Sequence, residues 1–217
     1  MNKILAIANQ KGGVGKTTTA VNLAASLAAT NRKVLLVDLD PQGNATTAAG
    51  LKESSPNTLY NLFFEKTNIS ECIYKSSDGY DVLPGNQELL ALEVGIREKN
   101  QQAFLKKELN TLGDSYDYTI IDTPPTLNQL TIEALFAASR TLIPLQCEYY
   151  SLEGVTGLMQ TIQSLADKNL SSNRVLGIVR TMVDMRNNLA KEVSDELELH
   201  FSHLVFNTLI PRNIKLA

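Results

Sequence analysis

Residues 3–29 constrain this chain more than any other stretch: KILAIAN, then QKGGVG, then KTTTAVNLAASLAA. An apolar run of strand length leads into a glycine-rich turn, and a helical pattern rich in alanine and leucine follows at once. Gly12, Gly13, Val14 and Gly15 supply a backbone that can curl until several N–H groups converge. The start of helix 17–29 adds partial positive charge at the same place. A cradle of this kind suits phosphate oxygens. Lys16 is placed to reach the outer phosphates, the Thr17 hydroxyl to ligate Mg²⁺, and Thr18 to hold the innermost phosphate. Two features are irregular. Gln10 stands six residues before the loop lysine, where the common pattern has glycine, and Lys11 puts a second cation inside the loop.

The same alternation runs through the rest of the chain. Strands are expected at 33–40, 116–122, 141–146, 175–183 and 204–210, with a weaker one at 80–85. Helices are expected at 86–98, 101–112, 127–138, 152–167 and 190–201. Near-continuous apolar strands are buried on both faces, so the expected fold is α/β, a doubly wound, mostly parallel sheet flanked by helices. A length of 217 residues, 43% apolar and 20% charged, fits one domain over 1–217. The polar stretch 50–57 reads as a loop, and Tyr60, Phe63 and Phe64 read as the core of a short helix. A net charge of -3 with no block of like charges gives no compositional support for nucleic-acid binding. Cys72 and Cys147 lack ligand spacing and read as buried free thiols. His200 and His203 share a helix face without a further ligand and read as a solvated helix end. There is no leader pattern and no apolar run near the ~20 residues that cross a bilayer, which suggests a cytoplasmic protein.

Carboxylates gather at the same end of the strands as the glycine loop. VDLDPQGN places Asp38 and Asp40 at the carboxyl end of a strand and on one face of it, where open α/β sheets bind ligands. YDYTIIDTPPTLN ends another apolar strand in Asp122, and Pro124 and Pro125 stop it there.

KGGVGKT resembles the deviant Walker A motif of the ParA/MinD superfamily of P-loop ATPases. DLDPQGN resembles that family's switch I, and the strand ending in Asp122 resembles its Walker B and switch II. PLQCEYYSLEGV, TMVDMRNNLA and IPRNIKLA are similar to the ParA/Soj partition branch, so the resemblance covers nearly the whole chain. It implies a P-loop ATPase that uses ATP and Mg²⁺ and forms a homodimer with ATP. Lys11 would then cross the dimer interface to the partner's phosphates, acting like an arginine finger. Asp40 would orient or activate the attacking water, Asp38 would help organise the magnesium shell, and Asp122 would hold a water on the ion. The adenine would be held by Pro211 and Asn213, with Met182 nearby. The resemblance further implies a ParB-like partner and nonspecific DNA binding through Arg186, Arg212 and Lys215, hence association with the nucleoid. No membrane contact is expected, since nothing basic and amphipathic stands at the C-terminal end. The chain stops at KLA, where the family continues, so the family's C-terminal segment is expected to be missing. Two alternatives are a MinD-like membrane-associated positioning ATPase and a small-molecule ATP-dependent ligase on the same fold.

Overall fold

The computed structural model describes residues 3–51, 57–149, 151–184 and 186–213. Its strands are β1 (Lys3–Ile7), β2 (Val34–Asp38), β3 (Tyr74–Lys75), β4 (Asp81–Leu83), β5 (Tyr118–Asp122), β6 (Arg140–Gln146), β7 (Arg174–Val183) and β8 (Val205–Pro211). All of β2 is buried, and its side chains alternate between two cores. Leu35 and Val37 join Ala6, Leu83 and Ile121 on one side of the sheet; Val34 and Leu36 join Ile7, Val82 and Ile120 on the other. A strand buried on both faces belongs inside a parallel sheet covered by helices. The sheet order is β3-β4-β2-β5-β1-β6-β7-β8, and every pairing is parallel except that of β3 with β4.

The helices are α1 (Lys16–Ala28), α2 (Asn44–Ala48), α3 (Leu59–Phe64), α4 (Leu89–Glu98), α5 (Phe104–Thr111), α6 (Gln129–Ala137), α7 (Ser151–Asp167) and α8 (Asn188–Phe201). Helices α3 to α6 cover one face over β2, β4 and β5, while α1 and α2 cover the other. Helices α7 and α8 form a third cluster against β6 and β7. Buried Ala20 and Ala24 let α1 lie close to the sheet. Glu133 of α6 is buried and accepts the N–H groups of Ala103 (2.8 Å) and Leu105 (3.0 Å), closing the start of α5.

Strand β1 lies between β5 and β6, so the chain runs to one side of it for β2 and β4 and to the other for β6 to β8. The strand order reverses at β1, and a crevice opens beyond its carboxyl end. The glycine loop leaves β1 at that point.

The doubly wound α/β expectation holds. The short α2 and the two-residue β3 were not foreseen: neither carries a periodic pattern long enough to register. Phe63 is core as expected, but Phe64 is 36% exposed. Cys72 and Cys147 are buried free thiols, and His200 and His203 are exposed. Most of the expected loop 50–57 lies outside the described residues. Among the described residues no helix is long and apolar enough to cross a membrane.

Candidate active site

Residues 8–15 join β1 to α1, held by side chains of the loop itself and by two threonines from elsewhere in the chain. Asn9 Nδ2 donates to the Pro144 carbonyl (2.7 Å) while Asn9 Oδ1 accepts the Lys11 N–H (3.0 Å). Thr181 Oγ1 donates to the Val14 carbonyl (2.8 Å), and Thr123 Oγ1 to that of Ile7 (2.9 Å). Gln10 lies over α7, where a Cβ on Gly157 would come within 3.3 Å of its amide. Gly13 (φ 73°) and Gly15 (φ 85°) have left-handed backbones that a side chain would strain. Gly15 turns the chain directly into α1, leaving the first N–H groups of that helix uncapped by any side chain. An anion is the natural partner for such donors.

Lys16 is buried, and its Nζ donates back to the Lys11 carbonyl (3.0 Å). Burial pulls its pKa down, while Asp122 and then Asp40 work the other way. Ile7, Asp122 and Asp38 stand side by side on one rung across β1, β5 and β2. Asp122 is fully buried, and neither of its carboxylate oxygens has a hydrogen-bond partner. Its pKa is pushed up to about 7, first by burial and then by Asp38 and Asp40; the Thr17 hydroxyl, outside hydrogen-bond geometry, and Lys16 oppose the rise. A buried carboxylate without donors is costly unless a cation or a bound water satisfies it.

Asp38 is different. Its Oδ1 accepts the Asp40 N–H (3.1 Å), and its Oδ2 accepts both the N–H and the hydroxyl of Thr46 (2.8 Å each). Burial raises its pKa, and the Thr46 bonds counter it. Asp40, 8% exposed, accepts the Gln42 N–H on its own Oδ1 (3.0 Å) and the Gly43 N–H on its carbonyl (2.9 Å).

The Lys11 side chain already has an acidic partner. Its Nζ pairs with Glu148, from the loop between β6 and α7, 137 residues away. A cavity is lined by Gly15, Thr18, Thr19, Thr181, Met182, Ile210, Pro211, Arg212 and Asn213. Met182 has φ 51°, a left-handed backbone that is strained for a non-glycine residue.

The AAA domain family matches residues 2–178. The chain is 42% identical to the sporulation initiation inhibitor protein Soj of Bacillus subtilis over all of this chain and 87% of that protein. It is 43% identical to the chromosome partitioning protein ParA of Myxococcus xanthus, over all of this chain and 78% of the relative. A solved structure of cobyrinic acid a,c-diamide synthase from Mycobacterium smegmatis, with ADP and magnesium, superposes with a TM-score of 0.91 at 34% identity, covering 98% of this chain and 88% of the other. The chain belongs to the ParA/Soj family of P-loop ATPases. As a ParA/Soj protein it is an ATP hydrolase, and nucleotide with magnesium is bound in solved structures of the fold.

For a ParA/Soj nucleotide site the magnesium fit can be judged on the residues themselves. Asp122 and Thr17 present hard oxygen donors, and both oxygens of Asp122 lack partners. They suit Mg²⁺. The Asp38 oxygens are already engaged by Asp40 and Thr46, which argues against the expected place in the magnesium shell. Met182, Pro211 and Asn213 come together beside Thr18, although they are spread over two strand ends. Of the DNA candidates, the described Arg186 and Arg212 both act on Asp184. The Arg186 guanidinium is gripped by Asp184 (2.9 and 2.7 Å), whose pKa it holds at about 2, and Arg212 lies at the rim of the Met182 cavity. Lys215 lies outside the described residues. Among the described residues no group of three His, Cys, Asp or Glu could hold a further metal ion.

Sequence reasoning missed Thr46, Gly85, Glu148 and Thr181. Thr181 and Glu148 sit inside motifs that resemble the family, but their partners are 167 and 137 residues away, and spacing carries no trace of them.

Proposed function

We propose that the chain hydrolyses ATP as a switch between monomer and homodimer, in the partitioning of plasmid or chromosomal DNA. The observation that carries this reading is Lys11. It is a second loop lysine, and its ammonium is paired with Glu148. A cation in that place is available to another subunit's phosphates once it leaves Glu148. The name of the M. xanthus relative, a chromosome partitioning protein, supports the partitioning role. One sheet running from β3 to β8 supports treating residues 1–217 as one domain.

The roles follow from placement. Backbone N–H groups of residues 12–15 and the start of α1 receive the phosphates. Lys16 exchanges the Lys11 carbonyl for the β- and γ-phosphates, which explains a lysine held inward beforehand. Thr18 borders the α-phosphate, and Met182, Pro211 and Asn213 enclose the base. Asp122 and Thr17 would hold Mg²⁺, which when bound neutralises charge on the β- and γ-phosphates. Asp40 orients the attacking water. Lys11 from the second subunit counters the charge that develops on the transferred group.

A ParB-like protein is the partner we expect to stimulate turnover. Arg186, Arg212 and Lys215 remain the proposed DNA contacts, doubled in the dimer, with nucleoid association following from them. No membrane role is proposed. The likeness to the M. smegmatis synthase favours one rival, an ATP-dependent amidation of a small molecule. The test is ATP turnover by the purified chain with Mg²⁺ alone, with and without duplex DNA. Turnover without any acceptor substrate, and an Asp40→Ala chain that stays dimeric in ATP, would support the switch. Turnover that requires an organic acid and ammonia would support the rival.

A further inference from the structure

The loop that carries Asp40 is closed into a ring by one carboxylate. Asp38, at the end of β2, binds the Asp40 N–H two residues on and both donors of Thr46 eight residues on. Thr46 is 1% exposed and sits in the first turn of α2. A hydroxyl has one proton, and Thr46 gives it to Asp38 Oδ2 at 2.8 Å, the Gly85 carbonyl being farther at 3.3 Å. Thr46 Oγ1 in turn accepts the Gly85 N–H (2.9 Å). Thr46 therefore ties β2, α2 and the end of β4 together through bonds that are charge-assisted on the Asp38 side.

Gly85 belongs to the same device. A Cβ there would lie 2.5 Å from the Asp38 carbonyl and 3.0 Å from its carboxyl carbon, so only glycine permits this approach. Gly43 packs against the Gly85 carbonyl from the other side, where a Cβ would come within 2.8 Å. Asp40 sits between these anchors, with its own side chain tied back to Gln42.

We propose that Thr46 is a positioning residue: through Asp38 and Gly85 it fixes the loop that aims Asp40 at the attacking water. This rests on the reading of Asp40 as the water-orienting group. It also gives Asp38 a role other than magnesium binding. Catalytic alignment is steep, and a displacement of ~1 Å costs on the order of 10²-fold in rate.

The test measures turnover, affinity for a non-hydrolysable ATP analogue and thermal stability for four chains: Thr46→Val, Thr46→Ser, Asp40→Ala, and Thr46→Val combined with Asp40→Ala. Thr46→Val should lower kcat by roughly 10- to 100-fold and leave analogue affinity within about 3-fold. Thr46→Ser, which keeps the hydroxyl, should recover most of the rate. In the Asp40→Ala background Thr46→Val should cost nothing more, because residues acting as a unit are non-additive. If Thr46→Val loses analogue binding or its cooperative melt, Gly85→Ala replaces it, and a loss of kcat with binding retained is again expected. Normal turnover in Thr46→Val, or in Gly85→Ala where that stands in, overturns the proposal and leaves the Asp40 reading intact. A further loss in the Asp40→Ala background also overturns it. Normal turnover in Asp40→Ala alone overturns the Asp40 reading, and the positioning role with it.

Discussion

Replacing Glu148 by alanine should make the ATP-bound dimer easier to form, because Lys11 must leave Glu148 before it can serve a second subunit. The two side chains are 33% and 47% exposed, so solvent screens the pair and its value is that of a surface ion pair. Such pairs are worth about 0.2–1 kcal/mol. A symmetric dimer breaks two of them, so the variant gains about 0.4–2 kcal/mol in dimerisation. With about 1.4 kcal/mol to a decade, the dimer dissociation constant should fall roughly 2- to 30-fold. The assay is light scattering across a protein dilution series, with Mg²⁺ and a non-hydrolysable ATP analogue, at low and at high salt. The gain should shrink as salt rises, because the wild-type pair is already weakened there. A dissociation constant that is unchanged or higher in Glu148→Ala would refute the idea that this pair restrains Lys11.

Other outcomes follow from the same geometry. Asp122→Asn removes a buried carboxylate with no hydrogen-bond partner, so the nucleotide-free protein should melt no lower than wild type. Its turnover should nevertheless fall by about 10²-fold or more, with Mg²⁺ dependence blunted, as read by phosphate release over a Mg²⁺ titration. Glu133→Ala leaves the Ala103 and Leu105 N–H groups unsatisfied and should cost about 2–4 kcal/mol in urea unfolding. Asp184→Asn frees the Arg186 fork and should tighten duplex binding by the ATP dimer. Arg212→Ala should weaken it and reduce the salt slope by about one unit per site lost, measured by anisotropy across a salt series.

The frame of this molecule is written locally and could be read. Strand β2 is apolar up to Asp38 because both faces are buried, and the helices flanking it show their own periods. The placement of the loop glycines, Lys16 and Asp122 at one end of the sheet was legible for a similar reason, since each sits at the junction of two recognisable elements. What could not be read is pairing at a distance. The family resemblance gave Asp38 a part in the magnesium shell, yet its oxygens accept from Thr46 and Asp40, a choice made by the packing of α2 and β4. Arg186 looked like a free cation, and its neutraliser Asp184 stood two residues away without a periodic element to set their geometry. Lys11 stood out as the irregular residue of the loop, but its present partner is brought near only by β6 and the turn into α7.

Lys11, on the proposed reading, serves another subunit's nucleotide. The most direct measurement compares wild type with Lys11→Ala by light scattering in ADP and in ATP with Mg²⁺, alongside nucleotide affinity. Wild type should pass from monomer to dimer on ATP alone, and Lys11→Ala should bind ADP as wild type does and remain monomeric in ATP. A Lys11→Ala chain that dimerises normally with ATP would contradict the account.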